Sequence, residues 1–172
     1  MEVRYGRLHN ASLAIIAVGM VAVATSHFLS KPETAPTLNF NDPRFVLFTG
    51  LAIAMLFFAW QGASRFANRE PQIVIDRDGI QFGFGRNKRV AWKDVQWARM
   101  GRVALRPALQ LGIAPEAFVA ADLRLSQWSL DDSLRPVRGM PSALLVRDNG
   151  LDTRASAMLD AIKAVRPNLI RS

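Results

Sequence analysis

Residues 8–30 and 45–64 contain no Asp, Glu, Lys or Arg, and only fourteen residues separate them. A helical backbone rises about 1.5 Å per residue, so each stretch is long enough to cross a hydrocarbon layer roughly 30 Å thick. Inside such a layer no water can replace a missing backbone hydrogen bond, and a helix is the conformation that satisfies every group locally. The sequence therefore predicts a membrane α-helical hairpin, with spans at about 9–30 and 45–64 and a loop at 31–44. A tail and two-helix anchor over 1–69 leaves 103 residues, 70–172, enough for one small domain that folds in water.

Orientation follows from the arginines, because flanks rich in Arg and Lys stay on the cytoplasmic side during insertion. Arg4 and Arg7 precede the first span, and Arg65 and Arg69 follow the second. The loop balances Lys31 and Arg44 against Glu33 and Asp42 and carries Pro32, Pro36 and Pro43. Both termini are expected in the cytoplasm of a bacterium and the loop in the periplasm, which makes the chain a multi-pass inner-membrane protein. The alternative is a cleaved signal peptide ending near Ala22-Val23-Ala24. Against it, the first apolar run reaches Ser30 before meeting a charge, longer than the usual signal core.

Within the second span Gly50 and Ala54 form a small-xxx-small pair, which lets a neighbouring backbone approach closely. It is expected to pack against Ala14, Gly19 and Ala22 of the first span, with a partner protein's helix as the alternative. His27 reads as an interfacial residue, since no carboxylate lies in either span to pair with it.

The absence of cysteine rules out disulfides, thiolate nucleophiles and cysteine metal sites. The two histidines, His9 and His27, both fall beside or inside the first span, so a His-based metal site in the soluble part has no ligands. No metal and no cofactor is expected.

After Pro71 the pattern turns to strand-like alternation. Ile73 and Ile75 share one face, Ile80, Phe82 and Phe84 another, and Asp78-Gly79 is expected to supply the positive φ angles of a tight turn between them. Further strands are expected at Val90 to Trp92, Val95 to Met100, Val103 to Leu105, Leu109 to Ile113 and Ala143 to Val146. A short helix is expected at Pro115 to Phe118, residues 122–141 stay open between strand and helix, and Asp148-Asn149-Gly150 reads as a turn. The spacing Ala155, Met158, Leu159, Ile162, Val165 gives one apolar helical stripe that Pro167 stops. Antiparallel strands followed by one amphipathic helix predict an α+β domain, a bent sheet or small barrel closed by that helix.

Two apolar spans, then IVIDRDGI, VAWKDV, the PEAFVA turn and ALLVRDNGLDTRASAMLDAI, together resemble the bacterial two-helix membrane proteins with a cytoplasmic pleckstrin-homology-like (PH-like) domain. The resemblance implies a seven-stranded PH-like barrel capped by a C-terminal helix, in a family largely without assigned activity. The piece from Asp122 to Pro141 is longer than in compact members.

Catalytic patterns are missing. Gly83-Phe84-Gly85 lacks the third glycine and the helix of a nucleotide loop. Asp76 and Asp78 flank a turn and are expected to serve it. Asp131 and Asp132 offer two of the roughly six oxygens a divalent cation needs. There is no GxSxG and no HExxH, and the reading is of a non-enzymatic protein.

Charge remains. Arg86, Lys88, Arg89, Lys93, Arg99, Arg102 and Arg106 face a single acid, Asp94, within twenty-one residues. They are candidates for contact with a partner or with anionic lipid, where each cation near the leaflet contributes on the order of 1 kcal/mol. Trp92 and Trp97 are assigned to the domain core rather than to base stacking, and no nucleic-acid partner is expected. The expected function is an interaction module anchored in the membrane, an accessory or assembly subunit bound to another integral membrane protein. Recognition of anionic lipid headgroups through residues 86–106 is the alternative.

Overall fold

The computed structural model describes residues 1–83, 88–103, 106–121, 123, 134–137 and 139–171. The chain divides into two compact units, Gly6–Asn68 and a second formed by Met1–Tyr5 together with Arg69–Ser172. The first five residues thus belong with the C-terminal part, on the far side of the helix pair in sequence.

The first unit is a pair of helices, α1 (Arg7–Ser30) and α2 (Pro43–Ala67), both long and apolar enough to cross a membrane. Only 6% of an 18-residue apolar window of α1 and 17% of that of α2 are buried within the chain. α2 starts at a side-chain cap: Asp42 accepts from the Arg44 amide at 2.9 Å, with Pro43 at the first helical position. Its other carboxylate oxygen accepts from the Thr37 hydroxyl at 2.8 Å and the Thr37 amide at 2.9 Å. The Thr37 hydroxyl first, then the Arg44 and Thr37 amides, hold Asp42 below the ordinary carboxylate pKa.

The helices approach closely at Gly62, where a Cβ would stand 2.6 Å from the Asn10 carbonyl oxygen and 2.9 Å from the Ala14 amide nitrogen. Nearby, the Arg7 guanidinium lies 4.8 Å over the Phe66 ring. At the loop end Phe28 and Phe48 meet edge to face at 4.9 Å.

The second unit carries two antiparallel four-stranded sheets. The first has the order β1-β2-β3-β4, from Glu2–Val3, Ile73–Ile75, Gly79–Phe82 and Lys88–Ala91. The second has the order β5-β6-β8-β7, from Val95–Val103, Arg106–Ile113, Met140–Val146 and Leu134–Val137. Among the described residues the two sheets do not close into the barrel expected from the sequence; each ends at its own edge strands, and chain segments cover two of those edges. Tyr5 bridges Leu151 beyond β1, and the Asp152 amide donates to the Arg4 carbonyl at 2.9 Å. Beyond β5, Ala98 bridges Ile170 and accepts from the Arg171 amide at 2.9 Å.

The core joins both sheets to α4 (Ala155–Val165). Val3, Ile73, Ile75, Ile80 and Phe82 of the first sheet meet Leu109, Leu111, Ile113, Leu144 and Val146 of the second, with Ala155, Met158 and Ile162 from the helix stripe. The Asp148 carboxylate accepts from the first amide of α4, Ala155, at 3.1 Å, and Gly150 takes the left-handed φ of +71° that the preceding turn requires. The short helix α3 spans Pro115–Ala120, starting at the expected Pro115 and running two residues beyond the expected Phe118.

Three local expectations need correction. The β2–β3 turn is centred on Arg77 and Asp78, since the Asp76 amide donates to the Gly79 carbonyl and Ile75 pairs with Ile80. Gly79 has no positive φ; a side chain there is excluded because a Cβ would overlap the Val90 carbonyl oxygen of β4. Trp92 leaves the strand for a short 3-10 helix, Trp92–Asp94. Within 122–141 the described residues form β7 and the start of β8, whereas 124–133, with Asp131 and Asp132, lie outside them. Phe84 and Gly85 also lie outside.

Candidate functional site

The residue types that carry chemistry in this chain are mostly basic, and the strands hold them in separate places. Arg89 projects from β4 toward the β2–β3 turn. Its guanidinium pairs with Asp76 at 2.7 Å, stands 3.6 Å from the Asp78 carboxylate and donates to Gln81 at 3.4 Å. Asp76 also accepts from the Asp78 amide at 2.9 Å and the Gly79 amide at 3.0 Å, while its carbonyl takes the indole N–H of Trp92 at 2.9 Å. The Asp78 amide first, then Arg89 and the Gly79 amide, pull the Asp76 pKa below the ordinary value, against a partial desolvation that raises it. Asp76 serves the turn and the adjacent strand.

Arg99 is fixed on β5. Its Nε donates to Gln110 Oε1 at 2.8 Å, and the guanidinium carbon lies 5.1 Å from the centre of the Trp97 ring. Two glycines make this possible: a Cβ at Gly112 would overlap the Trp97 indole, and one at Gly101 would overlap the Gln110 side chain. Trp97 is half-buried on this face of the sheet and Trp92 is buried in the core, so the expectation of two core tryptophans holds for Trp92. Arg102 and Arg106 are exposed near the end of the β5–β6 hairpin, where Arg102 pairs in register with Pro107 and Val103 with Arg106.

Lys93 stands apart from these, exposed on the 3-10 helix. It lines a groove of about 350 Å³ with Trp92, Val95, Arg166, Asn168 and Leu169. Arg166, the residue that ends α4, was not singled out by the sequence pattern, because nothing local to it indicates that the chain folds back beside Lys93. Arg86 and the side chain of Lys88 lie outside the described residues.

In the helix pair, a Cβ at Gly19 or Gly50 would meet nothing within 4 Å, and Ala54 is half-buried. Of the glycines in the two helices, Gly62 is the one held against the facing helix backbone. Between the helices a groove of about 690 Å³ is lined by Gly19, Ala24, His27, Phe48, Ala52 and Met55 among others. Among the described residues no three His, Cys, Asp or Glu side chains gather as metal ligands.

Comparison with known proteins brings no relative: no family model matches the chain, and no curated protein or solved structure is significantly similar to it. The fold itself defines the class, two helices of membrane-spanning length with a sheet-rich unit and a C-terminal helix.

Proposed function

We propose that this chain is a non-enzymatic interaction module anchored in the bacterial inner membrane, an accessory or assembly subunit of a larger membrane protein complex. The observation that carries the reading is the pairing of Glu2 with Val74 and Val3 with Ile73, residues that precede α1 and follow α2. One sheet built from both flanks requires both flanks on one side of the bilayer, so the helices cross it as a returning pair. A single residue, Gly6, separates Tyr5 of the sheet-rich unit from the start of α1, and β2 begins six residues after α2 ends. Arg4, Arg7, Arg65 and Arg69 favour the cytoplasmic side.

Two four-stranded antiparallel sheets with a closing helix support the resemblance to PH-like domains, with the first strand supplied from before the membrane anchor. Asp76, whose pKa its surroundings hold below the ordinary value, is engaged with turn amides and Arg89 rather than presented to a substrate. Recognition of lipid by residues 86–106 as one patch draws less support, since Arg89 and Arg99 are occupied by contacts within the unit. Gentle detergent extraction after cross-linking in cells tests the proposal: another integral membrane protein is expected in constant ratio to this chain, and recovery of this chain alone would contradict it.

A further inference from the structure

Lys93 and Arg166 come from segments more than seventy residues apart, yet they line one groove. Both side chains are exposed, neither forms an ion pair among the described residues, and the lining contains no carboxylate. Two cations at one groove repel each other, and an anion placed between them removes that repulsion. Of the rest of the lining, Trp92 and Val95 are buried in the core, the Trp92 indole N–H is already given to the Asp76 carbonyl, and only Leu169 offers partly exposed apolar surface, beside exposed Asn168. The occupant such a groove accommodates is therefore anionic, with an apolar group beside Leu169.

The position on α4 narrows the anion. Arg166 is the C-cap of this eleven-residue helix, whose C-terminal end carries partial negative charge. That charge favours the Arg166 cation but opposes an incoming anion, and it opposes a phosphate dianion about twice as strongly as a carboxylate. A carboxylate also matches the fork of a guanidinium with two parallel hydrogen bonds.

We propose that the groove binds an acidic-apolar segment of a partner protein, with an Asp or Glu carboxylate between Lys93 and Arg166 and a neighbouring apolar side chain against Leu169. This rests on the reading of the chain as an interaction module and names the surface that makes the contact. The full-length protein in detergent micelles can be titrated with a blocked peptide alternating leucine and glutamate, and with its glutamine analogue. Saturable binding of the glutamate peptide is expected, weakened about tenfold by Lys93→Gln or Arg166→Gln and unchanged by Arg77→Gln, an exposed cation of the β2–β3 turn. Equal binding of the glutamine peptide, equal weakening by Arg77→Gln, or displacement of the peptide by equimolar inorganic phosphate would overturn it. If a membrane protein co-purifies equally with wild type and with the doubly substituted Lys93→Gln, Arg166→Gln chain, the module reading stands and the groove assignment fails.

Discussion

Substituting Gly79 by alanine should destabilise the sheet-rich unit by about 3 kcal/mol, the upper range for overpacking a filled site. The added methyl group would overlap the Val90 carbonyl oxygen and stand 3.0 Å from the Ala91 Cα, all backbone atoms of the paired strand β4. A clashing side chain can rotate away; a strand carbonyl held in a ladder cannot. Relief requires β3 and β4 to part, which breaks the pairing of Ile80 with Val90, two fully buried core residues. Denaturant unfolding of the full chain in micelles gives the value, with Gly50→Ala as the contrast because a Cβ there meets nothing. A Gly79→Ala protein within about 0.5 kcal/mol of wild type would refute the close approach.

Val3→Asp should cost more, about 4 kcal/mol or above, because it buries a carboxylate without a partner. Val3 is completely buried and packs into the core shared by both sheets and α4. Its carbonyl accepts from the Gln72 amide at 2.7 Å, and the Met1 carbonyl accepts from the Ile75 amide at 2.8 Å. The substituted segment should leave the sheet, and the Gln72 and Ile75 amides should then exchange hydrogen rapidly. Exposed Glu2, changed to lysine, should leave both amides protected. Continued protection of Gln72 and Ile75 in the Val3→Asp protein would show that the N-terminal residues do not pair there.

Residues that follow a long periodic pattern were legible in the sequence. The two apolar runs announce α1 and α2, and the stripe Ala155, Met158, Ile162 marks the buried side of α4. Strand β1 was not legible, since two residues carry no period and their partners lie some seventy positions away. The Asp78-Gly79 pair is ambiguous for a related reason: a glycine beside a turn signals either a left-handed φ or a close neighbour, and here the neighbour is a later strand. Gly62 carries no pattern of its own because it follows Gln61 near the polar end of α2, whereas Gly50 and Ala54 carry the familiar spacing but face outward or only partly inward. The positive charges between Arg86 and Arg106 are plain in the sequence, but strand direction decides their use. Alternation sends Arg89 to Asp76 and Arg99 to Gln110, and the end of α4 places Arg166 in one groove with Lys93.

The claim on which all of this depends is that the residues before α1 and those after α2 fold into one sheet. The chain has no cysteine, so Glu2→Cys with Val74→Cys introduces a single pair at directly opposed positions of β1 and β2, within the reach of a disulfide. In membranes from cells making the full-length protein, mild oxidation is expected to join the two cysteines in most molecules. Failure to cross-link, with one cysteine labelled by an impermeant maleimide only from outside the membrane and the other only from inside, would contradict the account.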